Sequence, residues 1–282
     1  MRKIQNGIVV LNFNSYDDTV NCIDLLIRAV SDDDMIVIID NASPDASGTR
    51  LKDYIGNKPE LVFLQAENNR GYACGNNIGI EYLLSQRAEY ITICNPDVMV
   101  NEDSMKILID FMQENPDVCA CGPLLLHPDQ KPYIDCARNR LGLKEKFFVT
   151  TPLRIFDFFS IRERYYYHYN YEKSYPVHML SGAFIVFRSG LLKKTGGYDS
   201  HTFLYQEEAL LFNRIEKEHL GRVFFIHEAK AVHDHTDKRM SAYLVKHFRN
   251  SEQYYLKHSL QAGIHIRFIF WCIRSLQLLA RR

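Results

Sequence analysis

Tyr90-Ile91-Thr92-Ile93-Cys94-Asn95-Pro96-Asp97 is the stretch on which the fold turns. Its apolar first half predicts an interior strand of a parallel sheet. Pro96 has no N–H to give to a ladder, so the strand stops before it. Asp97 is thereby held just past a strand end, at the carboxyl edge where open α/β sheets bind ligands. A carboxylate fixed there is placed to hold a divalent metal against a diphosphate.

Outward from this strand, short apolar runs alternate with helical patterns. Ile8–Phe13 predicts a first strand, and Ser15 is placed to cap a helix whose first turn carries Asp17 and Asp18, favoured at the positive end of the helix dipole. Val20, Ile23, Ile27 and Val30 give that helix one apolar face. Met35–Ile39 and Leu61–Leu64 predict further strands, with a helix after Gly71 and Gly75. Ser104–Met112 reads as a helix and Cys119–Leu126 as a strand. This rhythm implies parallel βαβ units with right-handed crossovers. Residues 135–176 break it: they are crowded with tyrosine, phenylalanine and basic residues, show neither period, and read as an aromatic-rich insertion or flexible region near the site. Regularity resumes with Val177–Phe187, a helix over residues 207–218 stopped by Gly221, the strand Val223–Ile226 and a helix over Ser241–Lys257. The organisation is therefore one domain over residues 1–257 with an extension over 258–282.

Composition narrows the function. Lys+Arg and Asp+Glu are equal at 34 each, so no global basic field collects nucleic acid, and that partner is excluded from the reading. The seven cysteines are scattered, which argues against a disulfide framework and for a reducing cytoplasm. Cys119 and Cys121 share one face of their strand and read as small core residues. No secretory signal pattern is present at the start, and no apolar run reaches the ~18–20 residues of a membrane span. The expectation is a cytoplasmic protein, soluble or peripheral at the inner face of the cell membrane.

Four polar groups fall at strand or helix ends: Asn12-Phe13-Asn14, Asp40-Asn41, Asn95-Pro96-Asp97 and Glu207-Glu208. In a doubly wound sheet such ends converge on one edge. Each alone reads as a loop carboxylate or a helix cap; four together point to a site. In Asn69-Arg70-Gly71-Tyr72-Ala73-Cys74-Gly75-Asn76-Asn77, two glycines four apart let backbone N–H groups turn toward an anion or a base at a helix start. The segment follows the third strand rather than the first, so it is not the dinucleotide fingerprint. His233-Asp234-His235 puts two imidazoles on one face of a strand, with a surface histidine as the plainer reading, more so for His235.

Together these segments resemble the family-2 inverting glycosyltransferases of the GT-A fold. The rhamnosyltransferase-like members that build bacterial surface polysaccharide, such as O-antigen or capsule, are the nearer resemblance. It rests on residues 9–15, Ile38-Ile39-Asp40-Asn41-Ala42-Ser43, Glu67–Gly79, Cys94-Asn95-Pro96-Asp97, Leu180-Ser181-Gly182-Ala183 and Gly196-Gly197-Tyr198-Asp199. Phe203-Leu204-Tyr205-Gln206-Glu207-Glu208 and Val232-His233 complete it, and in all it covers roughly residues 7 to 257.

The resemblance implies an α/β GT-A fold, a Rossmann-like and mostly parallel sheet flanked by helices. It carries nucleotide-sugar contacts onto Leu11, Asn12, Asn14, Asp40, Asn41, Asn69, Gly71, Gly75, Asn76, Asn95, Asp97 and Gly182. Asp97 matches the last position of the metal-binding Asp-x-Asp motif, with Asn95 at its first, and His233 is implied as a metal or diphosphate contact. The implied cofactor is a divalent metal, Mg²⁺ or Mn²⁺. Glu207-Glu208 matches a Glu-Asp pair whose second member acts as catalytic base, which in general is worth ~10²–10⁴-fold. Glu208 replaces the shorter aspartate and Leu210 replaces a second one, leaving the base open between Glu207 and Glu208. The expected function is transfer of a sugar from a nucleoside-diphosphate sugar, dTDP-rhamnose or a UDP-hexose, to a glycan or polyprenyl-linked glycan acceptor. A non-catalytic nucleotide- or glycan-binding protein of this fold is the alternative. A nucleotidyltransferase is a more distant one, because Asn12-Phe13-Asn14-Ser15 is not a Gly-rich phosphate loop. Residues 263–282 form a basic amphipathic tail that suits either an anionic membrane interface or packing on the core or on a subunit of a homo-oligomer.

Overall fold

The computed structural model describes residues 3–56, 58–151, 160–167, 170–235 and 241–279. Four strands, β1 (Asn6–Asn12), β2 (Met35–Asp40), β3 (Leu61–Gln65) and β4 (Tyr90–Cys94), pair in parallel in the order β3-β2-β1-β4. Their residues are almost wholly buried in β1, β2 and β4, the pattern of strands covered on both faces. The register sets Asn12 opposite Asp40 and Val10 opposite Cys94, so the polar residues beyond these strands gather at one edge.

The cover follows from the alternation of β1. Gly7, Val9 and Leu11 meet α3 (Tyr72–Ser85), where Gly75 and Gly79 leave room for Leu11 and Val9. Asn6 and Asn12 point the other way, to Met105 on α4 (Glu102–Glu114) and Thr19 on α1 (Tyr16–Ala29). The sheet continues past β4 through β10 (Phe184–Arg188), β6 (Val118–Leu126), β11 (Arg222–His233) and β5 (Val98–Val100), with β8 (Tyr175–Pro176) also on β11. The result is the expected α/β sheet flanked by helices, parallel from β3 to β4 and mixed beyond β4.

Several local expectations change. Val177–Phe187 divides in two: β9 (Met179–Leu180), on a small sheet with β7 (Ala137–Arg138), is separated from β10 by the turn at Gly182. β10 also runs antiparallel to β4 and β6. Val223–Ile226 is the start of a longer strand that passes an irregularity before Lys230 and ends at His233. Ser15 stands at the N-cap of α1, but its side chain does not cap the helix, because both its N–H and its hydroxyl donate to Asn12 Oδ1. Gly221 is not the helix stop. α8 (Glu207–Lys217) ends at Glu218, the next residue His219 takes a left-handed φ of 52°, and Gly221 leads into β11 instead. Within residues 135–176, two helices form, α5 (Leu143–Thr150) and α6 (Ile161–Tyr165), where no helical period was expected; residues 152–159 and 168–169 lie outside the described residues. At the end of the chain, α9 (Ala242–His258) and α10 (Ile264–Leu279) pack together.

Candidate active site

The edge beyond β1 and β2 is built by polar side chains that satisfy one another. Asn12 Nδ2 donates to Asp40 Oδ1 at 2.6 Å and to Ser47 Oγ at 3.0 Å. Its Oδ1 accepts from the Thr19 hydroxyl at 3.0 Å. Asp40 also accepts from the Ser43 N–H and hydroxyl and from Gln65 Nε2. With Asp40 only 1% exposed, its carboxylate shapes the turn at residues 41–47 from beneath, and Asn14, with a left-handed φ of 55°, is the exposed member of the group.

A second tier lies beside it. Asn41 Nδ2 donates to Asn69 Oδ1 and to the Gly71 carbonyl, while the Gly71 N–H donates back to Asn69 Oδ1 at 2.8 Å. Gly71 is the N-cap of α3 at φ 96°, and a Cβ there would sit 2.1 Å from the Phe203 carbonyl oxygen. Both facts require glycine. Gly75 lets Leu11 and Asn41 approach the helix, and Asn76 Oδ1 is buried without a hydrogen-bond partner. The expected nucleotide-side residues are thus contiguous, but Asn12, Asp40, Asn41 and Asn76 form its floor rather than its surface.

Past β4, the chain turns at Asn95, whose carbonyl accepts from the Val98 N–H, and Asp97 projects at that turn. His233 Nε2 lies 3.4 Å from Asp97 Oδ1, and His235 Nδ1 lies 3.4 Å from Asp97 Oδ2. One ligand atom from each residue falls within 4.8 Å of the others, and the two imidazoles stack with centroids 5.4 Å apart. Burial would raise the Asp97 carboxyl's pKa, but the two histidines outweigh it and hold it below the ordinary range. Asp97 Oδ1 and His233 Nε2 are buried and make no aligned hydrogen bond. His235 Nδ1 pairs with Asp97 Oδ2, and the two nitrogens and the carboxylate converge as a donor set that fits a divalent cation. His235 was the residue that sequence reasoning favoured least; its alternation with His233 was the available signal.

Tyr72 joins this cluster to the glutamate pair. Its hydroxyl lies 2.8 Å from Asn95 Oδ1 and 3.0 Å from the Gly182 carbonyl. Gly182 in turn lies against Glu208, for a Cβ there would fall 1.8 Å from Glu208 Oε1. Burial first, then Tyr198 and the charges of Glu208, Glu207 and Asp97, push the Tyr72 pKa well up, so the hydroxyl stays protonated. Tyr72 was quoted in the sequence but given no role, because its contacts come from residues far away along the chain.

Glu207 and Glu208 open α8 at its positive end, after the left-handed pair Tyr205 and Gln206. Glu207 is 4% exposed, and its Oε2 has no partner. Burial and then the charge of Glu208 push its pKa well above the usual carboxylate range. Glu208 is half-buried; burial raises its pKa too, against the opposing pull of the Arg138 guanidinium. Both line a cavity of about 300 Å³ shared with Arg138, Lys146, Tyr165 and Tyr166. The last two belong to the aromatic-rich segment expected near the site. Leu210 instead faces a separate groove of about 730 Å³ with Asp199 and Arg214, which contains none of the expected site residues.

The model of the family described as glycosyl transferase family 2 matches residues 7–196. A dTDP-rhamnosyl transferase of Shigella flexneri is 29% identical over 116 residues, 41% of this chain and 38% of its own. An N-acetylglucosaminyl-diphospho-decaprenol L-rhamnosyltransferase of Mycobacterium tuberculosis is 26% identical over 196 residues, 64% of this chain and 61% of its own. The chain thus spans less than two thirds of the length of either relative. Among solved structures, a mannosyltransferase from Pyrobaculum calidifontis in complex with GDP-Man and Mn²⁺ superposes with a TM-score of 0.60 at 14% identity, over 99% of this chain and 75% of that one. The likeness is one of fold, and the fold is GT-A.

Proposed function

The chain belongs to glycosyl transferase family 2, and from that premise we propose that it is an inverting, metal-dependent glycosyltransferase acting in glycan or polysaccharide biosynthesis. The observation that carries this reading is the bridge made by Tyr72. It links the turn bearing Asp97, beside His233 and His235, to the Gly182 turn that lies on Glu208 at the mouth of a cavity.

Asp97, His233 and His235 would hold the metal, Mg²⁺ or Mn²⁺. Bound there, it supplies Lewis-acid neutralisation of charge on a leaving diphosphate. The nucleotide lies over the tier formed by Leu11, Asn12, Asn14, Asn41, Asn69 and Gly71, with Asp40 and Gly75 setting its shape from below. An acceptor hydroxyl enters the cavity beside Glu208. As its oxygen bonds to the anomeric carbon, the carbon–oxygen bond to the diphosphate breaks on the opposite face, and the hydroxyl proton passes to the Glu208 carboxylate. A raised pKa suits a base that must accept this proton near neutral pH. Tyr72 fixes Asn95 relative to Gly182, so donor and base keep their spacing.

The relatives' printed names favour dTDP-rhamnose as donor and a polyprenyl-linked glycan as acceptor, with a UDP-hexose as the competing donor; the scattered cysteines favour a reducing cytoplasm as the place of action. Glu208→Gln should lower the transfer rate by about 10²–10⁴-fold while leaving donor binding intact. Transfer at the wild-type rate in that variant would remove Glu208 from the role, and loss of transfer in Glu207→Gln alone would move it to Glu207.

A further inference from the structure

The last helix, α10, is apolar on the wrong side for a packed helix. Its inner face is accounted for: Phe270 is fully buried against Leu256, Phe147 and Ile266, and Arg274 enters the protein to meet Glu252. Its outer face carries Ile264, Phe268, Ile269, Trp271, Leu276 and Leu279, all exposed, with Ile264 at 75% and Phe268 at 62%. At 100° per residue these six fall within a single arc of the helix surface. The Phe268 and Trp271 rings stack on this face, with centroids 6.1 Å apart. An exposed apolar stripe of this length on a folded chain marks an interaction surface.

Charge identifies the occupant. The whole chain is neutral, yet from Gln253 to Arg282 it contains no aspartate or glutamate, while besides Arg274, whose charge Glu252 neutralises, it holds Lys257, Arg267, Arg281 and Arg282. Arg249 of α9 lies over the Trp271 ring at 5.2 Å and donates to Ser275, so a further cation borders the stripe. No helix among the described residues is long and apolar enough to cross a membrane. Aromatic and aliphatic groups on one face, basic side chains beside them and carboxylates absent is the chemistry of a helix lying in the plane of an anionic interface. Against a second copy of this chain, the same cations would meet like charge.

We propose that the outer face of α10 docks this protein onto an anionic lipid bilayer. The surface is mechanically tied to the site. Glu252 of α9 accepts both Arg274 of α10, at 2.8 and 2.9 Å, and Lys146 of α5, at 3.2 Å. Lys146 lines the same cavity as Glu207 and Glu208. A bilayer-bound α10 therefore holds a wall of the cavity at a fixed height above the lipid, where a lipid-linked acceptor presents its sugar. That last consequence rests on the transferase reading; the docking itself does not.

Trp271 is the only tryptophan in the chain, so its emission reports the stripe directly. The full chain is titrated with vesicles of phosphatidylcholine alone and of phosphatidylcholine with phosphatidylglycerol, without donor or acceptor, and bound protein is also measured by flotation. A blue shift and flotation with the anionic vesicles, both weakened in 0.5 M salt, are expected. Ile264→Ser with Phe268→Ser, which spares Trp271 and the buried face, should cut binding by about tenfold or more, and Arg267→Gln by about fivefold. An unshifted Trp271 with the protein left unfloated overturns the proposal. So does equal binding to both vesicle types, or a blue shift without lipid that grows with protein concentration alongside a doubling of mass by light scattering. Because neither readout requires transfer, a failed activity assay leaves this result standing, and failed docking leaves the transferase reading standing.

Discussion

Glu207 and Glu208 are consecutive, yet the first turn of α8 sends them into different surroundings. Both line the cavity, but Glu207 is enclosed with one oxygen unpartnered, while Glu208 reaches the Gly182 turn. The raised pKa of Glu207 makes it a stability group as well as a site group. An unfolded glutamate releases its proton near about pH 4.3, whereas the folded chain retains it to higher pH. The contribution is therefore full below that pH and is lost as pH rises toward the raised folded value. Glu207→Gln should be more stable than the wild type at pH 8, because glutamine keeps the uncharged form that the buried site favours. The gain should vanish at pH 4; urea melts at the two pH values check this, and a pH-independent difference would contradict it. At this scale the sequence was legible wherever backbone chemistry pins a residue. Pro96 stops β4 and thereby places Asp97, and Gly71 is demanded by its φ and by Phe203. Tyr72 was not legible, and His235 only through its alternation with His233, because their parts depend on which distant loops the sheet brings alongside them.

The elements that build the polar sheet edge were readable because β1, β2 and β4 are short, apolar and followed by polar turns. β10 was harder: a buried strand looks alike whether it runs parallel or antiparallel, and only its pairing with β4 and β6 sets its direction. α5 and α6 were hidden because each is short and buries a single residue, Lys146 in α5 and Tyr165 in α6, so neither shows an apolar stripe. What holds α5, α9 and α10 together is the cluster of Lys146, Glu252 and Arg274, all under 5% exposed. Burial pulls the Lys146 pKa down and Glu252 pulls it back, so the lysine depends on its partner. Glu252→Ala would leave two buried cations uncompensated, and a loss of about 3–5 kcal/mol is expected in denaturant melts. A change under about 1 kcal/mol would mean that the cluster does not hold these helices.

For the whole molecule, neutrality conceals an uneven distribution: carboxylates supply the site edge and the glutamate pair, and the last two helices are basic. Net charge alone argued against a nucleic-acid partner but could not show this polarity. The central claim is that Asp97, with His233 and His235, binds a nucleoside diphosphate through a divalent metal. It is tested most directly by the thermal shift of the intact protein with dTDP or UDP, in Mn²⁺ and in EDTA, for the wild type and Asp97→Ala. Ligand at 100 times its Kd should stabilise the wild type by about 2.7 kcal/mol in Mn²⁺, with little shift in EDTA or in Asp97→Ala. An equal shift in Mn²⁺ and EDTA, or an undiminished one in Asp97→Ala, would contradict the account.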